Sequence, residues 1–435
     1  MDTLPFVIRT EPDKLTHIKK FLVFLTGCLI TASTAAAQIP EKYLQQAGEN
    51  NPELQSAFYR YQAALEEIPL QGTLEDPEIG FGWFVSPVET RVGEQEVRLS
   101  LTQMLPWFGT LSQRKTVTGE DARSKFEIFQ ELRNRLFFSV QERWYELYFA
   151  AKTISVLEEN IQLLESLEET AAQQYESGNG RQVDILQAQI EKEELLNRLE
   201  IQKDEYEVIK IDFNNLLNRD PNEEVEIASR LQPVPELLQA GDLYRQVLKQ
   251  NPTLLQLEYE TRARSEAITL AEKENKPSFY VGMDYILVSE RPVEVTENGQ
   301  DAFMLRGTVK VPIFRKKNDA RIEQQRRLQA ASENSREQQE NRLNTNLEKA
   351  LKDFRNAGRN LALAGDIQIQ RTEEAIEMLL AAFSTDEADF EEVLRMQQRL
   401  LDYQLMKEEA MTNMHISKSY IEYLTGRNNI NPEDF

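Results

Sequence analysis

What most limits this chain is where proline is missing. None lies between Pro106 and Pro221, and none between Pro312 and Pro432. Proline removes a helix hydrogen bond and clashes with the preceding turn, so gaps this long leave room for unusually long helices. Both gaps are filled largely by Glu, Gln, Leu, Arg, Ala and Lys, all good helix formers. Apolar residues recur three and four apart at Ile154, Leu157, Ile161, Leu164, Leu167, Ala171 and Tyr175, a narrow coiled-coil-like stripe. Helices are therefore predicted over 41–67, 111–177, 181–218, 236–274, 316–384 and 389–425. At ~1.5 Å per residue the two longest would reach about 100 Å, which suits the wall of a rod or tube rather than a globule. The stretch 323–346 has few apolar residues, so a helix there should face water on more than one side.

Four segments between the helices alternate with period two. Residues 78–85 put Ile79, Phe81, Trp83 and Val85 on one face, and residues 94–103 alternate Val97, Leu99 and Leu101 with Arg98, Ser100 and Thr102. Residues 278–288 set Phe279, Val281, Met283, Tyr285 and Leu287 against Asp284. Residues 302–313 set Phe303, Leu305, Val309 and Val311 against Arg306, Thr308 and Lys310. Alternation over about ten residues, with aromatics such as Trp107, Phe108 and Phe314 near the ends, is the pattern of a transmembrane β-strand.

The order helix, strand, strand, long helix, helix is expected twice. Asn51-Pro52 returns as Asn251-Pro252, Leu105-Pro106 as Val311-Pro312, Asp184-Ile185-Leu186 as Glu392-Val393-Leu394, and Leu217-Asn218-Arg219 as Thr425-Gly426-Arg427. The offsets are 200, 206, 208 and 208, which reads as a tandem duplication. The expected layout is a signal peptide over 1–37, a first repeat over 38–220, a linker over 221–235, a second repeat over 236–427 and a tail over 428–435. Pro106 and Pro312 each close a strand and open a long helix, positions where proline is tolerated.

The chemical alphabet is thin. There is one cysteine, Cys28, and there are two histidines, His17 and His415. An internal disulfide is impossible, a Cys/His zinc site cannot be assembled beyond residue 28, and no phosphate-binding glycine motif is present. The many carboxylates sit mostly at polar positions of helical repeats. No enzyme, cofactor or metal is expected. A formal charge of −23 speaks against nucleic acid as a partner.

Lys19 and Lys20, the apolar run Phe21–Ile30 and the small residues before Gln38 form a secretory signal peptide with cleavage near Ala37. Leu25-Thr26-Gly27-Cys28 also matches a lipobox, which would acylate Cys28 instead. On either reading the chain is exported.

A sheet that faces lipid must close on itself, and four strands are too few to close alone. The hypothesis therefore forces the chain to share its barrel with copies of itself. Apolar strand residues would face outward, and Arg98, Thr102, Asp284, Arg306 and Lys310 would line the lumen or its rim.

Over about 41–427 the sequence resembles the TolC-like outer-membrane factors, also called outer membrane efflux proteins. The landmarks are the duplicated Asn-Pro, the strand-to-helix prolines and the first helical tip, Tyr175 to Ala188 with Gly178, Asn179, Gly180 and Arg181. At the second tip Asp386, before Glu387 and Ala388, stands where glycine is expected. The resemblance implies a mainly α fold with a minor β part. Three copies would form a 12-stranded transmembrane barrel in the outer membrane and an α-helical barrel in the periplasm. It further implies a passive exit duct of a tripartite efflux or type I secretion system. The tips would dock a periplasmic adaptor, which meets an inner-membrane pump. Asp184, Glu391 and Glu392 match positions near a periplasmic aperture, with Arg181 and Arg395 as candidate ion-pair partners. The alternative from another class is an exported coiled-coil scaffold, which explains the helices but neither the alternating segments nor the duplication.

Overall fold

The structure, a computed structural model, describes residues 39–232, 234, 239–292, 296–385 and 387–427. The expected signal segment with Cys28, Asp386 at the second tip and the tail 428–435 lie outside the described residues. In chain order the elements are α1 (Glu41–Asn50), α2 (Pro52–Gly72), β1 (Glu78–Thr90), β2 (Gly93–Leu105), α3 (Thr110–Glu176), α4 (Gln182–Leu216), α5 (Ala240–Gln250) and α6 (Pro252–Glu274). They continue with β3 (Ser278–Ser289), β4 (Ala302–Lys310), α7 (Arg315–Leu363), a π-turn (Ala364–Gln368), α8 (Ile369–Ser384) and α9 (Phe390–Thr425).

Three expectations are corrected. The helices expected over 41–67 and 236–274 are each interrupted at an asparagine, Asn51 and Asn251, whose backbone is extended. A residue before proline is pushed out of the helical region, and the asparagine amide makes the break useful. Asn51 Oδ1 accepts from the Glu53 and Leu54 amides and caps α2, while Asn51 Nδ2 donates to the Leu216 carbonyl at the end of α4 (3.1 Å). Asn251 Nδ2 donates in the same way to the Leu424 carbonyl of α9 (3.0 Å). The second long helix, expected to be unbroken, contains the π-turn, whereas α3 runs 67 residues without one. The strand expected to reach residue 313 stops at Lys310. Lys310 pairs with Ser278, the first residue of β3, so residues 311–313 have no strand beside them among the described residues.

The chain divides into two compact units. One comprises the residues up to Ser56, Gln130–Pro252 and Asn341 onward. It is helical, and one hydrophobic core joins the predicted stripe of α3 to α4, α8 and α9 through Leu157, Leu164, Leu167, Ala188, Leu195 and Phe390. Ala171 is buried as the spacing requires, but Tyr175, the last residue of the stripe, is exposed.

The other unit comprises Ala57–Phe129 and Thr253–Glu340 and holds the sheet. The strands pair antiparallel in the order β1-β2-β3-β4, leaving β1 and β4 as edges. Its helical part is fastened by aromatic contacts, Phe58 with Phe129 and Tyr61 with Phe126 (centroids 5.5 and 5.2 Å). Gln113 Nε2 donates to the Glu266 carboxylate (2.6 Å), and Arg114 pairs with Glu274 (3.0 Å). Along 323–340 of α7 the polar face carries Arg327–Glu323 and Arg336–Glu340 pairs one turn apart, which support a helix that has little to bury.

Candidate channel wall and helical tips

The register sorts the sheet into two unlike faces. Ile79, Phe81 and Trp83 lie beside Leu101, Leu99 and Val97, and these continue to Met283, Tyr285 and Leu287, then to Leu305 and Phe303. That face is apolar throughout. The other face carries Arg98, Ser100 and Thr102 beside Ile286, Asp284 and Gly282, followed by Met304 and Arg306. In a water-soluble protein the apolar face would be covered. Here Ile79, Phe81, Trp83 and Val85 are 72–92% exposed and Leu305 is 75% exposed. Single exposed apolar residues are ordinary, but a face of this extent marks contact with lipid or another apolar surface.

The polar face spends its charge locally. Arg98 Nη2 and Nε donate to both oxygens of the Asp284 carboxylate (2.7 and 3.1 Å), and Asp284 is wholly buried. Arg306 Nη2 donates to Thr102 Oγ1 (3.0 Å). These bonds tie β2 to β3 and β4 across the strands. Lys310 is exposed at the end of β4. At the end of the sheet where the helices begin, Trp107 stacks on Phe279 (6.0 Å); Phe108, just after β2, and Ile313 and Phe314, just after β4, are exposed. Pro106 follows β2 and Pro312 follows β4, each a few residues before a helix. At the opposite end Arg291 pairs with Glu89 and donates to the Thr90 carbonyl.

The first tip is a tight reversal between α3 and α4. Gly178 has φ +83°, where a side chain would be strained, and a Cβ on Gly180 would come within 2.9 Å of Gln174. The Asn179 amide donates to the Gln174 carbonyl (2.9 Å). Arg181 then opens α4. Its amide and guanidinium both donate to Asp184, which is 1% exposed. Asp184 therefore serves the helix start and is neutralised by Arg181, the partner expected from the sequence. A second Arg181 bond reaches Asp389 at the other tip (3.3 Å). Further along the hairpin, the Lys192 ammonium and the Gln189 amide hold the Glu168 carboxyl below the usual range.

The second tip turns without a glycine. The Thr385 and Glu387 amides donate to the Ala382 carbonyl, and Phe383 packs on Phe390 (5.1 Å). Ala388 is half-buried, whereas Glu387, Glu391, Glu392 and Arg395 are exposed, and Arg395 pairs with Glu392 (3.3 Å). Asp389 was not singled out by sequence reasoning, because its pairing with Arg181 spans more than two hundred residues.

His415 is buried against the Tyr145 ring and faces the Gln232 carbonyl (2.9 Å). Burial pushes its pKa down, as expected of a packed histidine. Among the described residues no cluster of His, Cys, Asp and Glu could hold a metal ion, and no helix is long and apolar enough to cross a membrane.

Solved structures of outer-membrane channels share this fold, in which long helices follow the strands of an exposed sheet. The CusC transmembrane channel is 14% identical, with a TM-score of 0.75 over 92% of this chain and 95% of that one. CmeC, the outer membrane channel of Campylobacter jejuni, is 13% identical, with a TM-score of 0.73 over 97% and 94%. The outer-membrane channel OprN is 18% identical, with a TM-score of 0.71 over 89% of each chain. Residues 43–208 match the family model described as Outer membrane efflux protein, so the resemblance read from the sequence holds. The proteins it resembles are channels and not enzymes. No curated relative matches the sequence.

Proposed function

We propose that three copies of this chain form a passive exit duct. Their sheets close a 12-stranded barrel in the outer membrane, and their helices form a periplasmic tube of 12 helical columns. The observation that carries this reading is the inverted sheet, apolar and uncovered on one face and charged on the other, with both edges open. Unpaired strand edges are not tolerated in lipid, so closure needs further copies. The two equivalent asparagine bonds, Asn51 to Leu216 and Asn251 to Leu424, support a tandem duplication of one helical and strand unit. The tips at Gly178–Arg181 and around Glu387–Ala388 dock a periplasmic adaptor that joins the duct to an inner-membrane pump. Glu391, Glu392 and Arg395, exposed beside the second tip, line the aperture, and Asp184, buried under Arg181, holds the first tip in shape beside it.

Membrane insertion tests the reading. Leu305→Arg puts a charge on the apolar face and should prevent insertion, at a cost of ~2–4 kcal/mol near the bilayer midplane. Thr308→Arg, on the other face, should insert and conduct in planar bilayers. Equal tolerance of the two would overturn the assignment. Release of the wild-type chain with soluble periplasm would favour the scaffold. In the inserted duct, Glu391→Ala with Glu392→Ala should change ion conductance or its block by polyvalent cations. An unchanged response would remove these acids from the aperture.

A further inference from the structure

The sheet contains a template for its own missing seam. Under the duplication proposed above, on which this inference rests, β3 repeats β1 and β4 repeats β2. The β2–β3 junction within the chain is then the counterpart of the β4–β1 junction between copies. The ladders fix the equivalence. Ser278 stands to β3 as Glu78 stands to β1, each 26 residues after its Asn-Pro proline, Pro252 and Pro52. Thr102 pairs with Glu78, and Lys310 pairs with Ser278, so Thr102 corresponds to Lys310. Arg98 then corresponds to Arg306 and Ser100 to Thr308, like with like, and Gly82 corresponds to Gly282.

In the inner junction Thr102 faces Gly282, Leu101 faces Met283, Gln103 faces Val281 and Leu105 faces Phe279. We infer that the junction between two copies repeats this register, with Lys310 facing Gly82 of the next copy, Val309 facing Trp83, Val311 facing Phe81 and Ile313 facing Ile79. The partner that fits the β4 edge is thus a second copy of this chain, engaged at one register.

Three features of the chain agree with this seam. The inner template runs three residues beyond the point where β1 begins, since Gln103, Met104 and Leu105 pair with β3 alone. Their counterparts are residues 311–313, which have no partner strand among the described residues. Val311 and Ile313 are 58% and 72% exposed, and the seam sets both beside the outward apolar residues of β1. The side-chain parity is correct at every position, so all the apolar residues stay on one face. Charge agrees as well. Glu75 and Asp76 lead into β1, and Arg315, Lys316 and Lys317 follow β4, at the same end of the sheet. All five are exposed, and opposite charges there favour this edge-to-edge contact over a contact between two β1 or two β4 edges.

Cysteine pairs in the full-length chain test the register, with Cys28→Ser as the background. Trp83→Cys with Val309→Cys, and Phe81→Cys with Val311→Cys, should each give disulfide-linked dimers and trimers in isolated membranes. Residues directly opposite on adjacent strands lie within disulfide reach. Phe81→Cys with Val309→Cys, which reports a two-residue slip, should link at least tenfold less. Preferential linking of that slipped pair, or a trimer that links through neither expected pair, would overturn the seam while leaving the duct reading intact. A chain that runs as a single copy and links through none would overturn both. Hydrogen exchange on the unsubstituted protein gives a second reading. The Val311 and Ile313 amides should be protected in the assembled duct and exchange freely in the dissociated chain. Free exchange in both states would sink the proposed extension of β4.

Discussion

The two helical tips meet the same demand, reversing a long helix, by different means. Around residues 176–182 the turn is built into the backbone. Gly178 takes a left-handed conformation, Gly180 lets the chain pass close to Gln174, and the Arg181–Asp184 pair starts the next helix. Around residues 384–390 no glycine is present and Asp389 makes no side-chain cap. The turn is held by packing, with Phe383 against Phe390 and Phe390 fully buried. The backbone-built turn is local and should survive loss of neighbouring contacts. The packed turn depends on the core below it and should open first when that core is weakened. Upstream of the second tip the π-turn at Ala364–Gln368 interrupts the regular ladder, and α3 shows no such break before the first tip.

Hydrogen exchange at the two turns can break this contrast. Phe390→Ala should have the largest effect, a loss of ~3–5 kcal/mol of protection at 384–392 with a smaller loss at 176–184. Equal losses at both turns would mean that the tips are one cooperative unit. Gly178→Val, which forces a β-branched residue into a left-handed backbone, should cost ~1–2 kcal/mol, confined to the first tip. Asp184→Ala removes the carboxylate that caps α4 and should cost about 1 kcal/mol there. Asp389→Ala removes only the exposed bond to Arg181 and should change either turn by less than ~1 kcal/mol. A larger effect from Asp389 would make the contact between tips, and not each tip's own construction, the source of order.

Much of this was legible in the sequence for physical reasons. The proline gaps and the stripe from Leu157 to Ala171 placed α3 to within a residue at each end, because a long periodic helix has few alternatives. Alternation placed all four strands and set Phe81, Leu99, Met283 and Leu305 on one face. The resemblance of Gly178-Asn179-Gly180-Arg181 to the efflux-protein pattern marked the first tip. What escaped was set by groups distant in sequence or by absent neighbours. Asn51 and Asn251 break helices because the ends of α4 and α9 supply acceptors. Asp184 is expected near an aperture with Arg181 as a candidate partner, and only the structure shows that its carboxylate is buried. β1 runs past Val85 to Thr90 because the Thr90–Gly93 pairing closes a hairpin around a bulge containing Pro87. The π-turn left no sign in composition.

The central claim is that one face of the sheet meets lipid and the other meets water. A nitroxide on Phe81→Cys, compared with one on Ser100→Cys in the Cys28→Ser background, measures this in reconstituted membranes by collision with oxygen and with a water-soluble nickel chelate. The account predicts that the label at 81 is open to oxygen and shielded from nickel, and that the label at 100 shows the reverse. Equal access of nickel to both labels would contradict it.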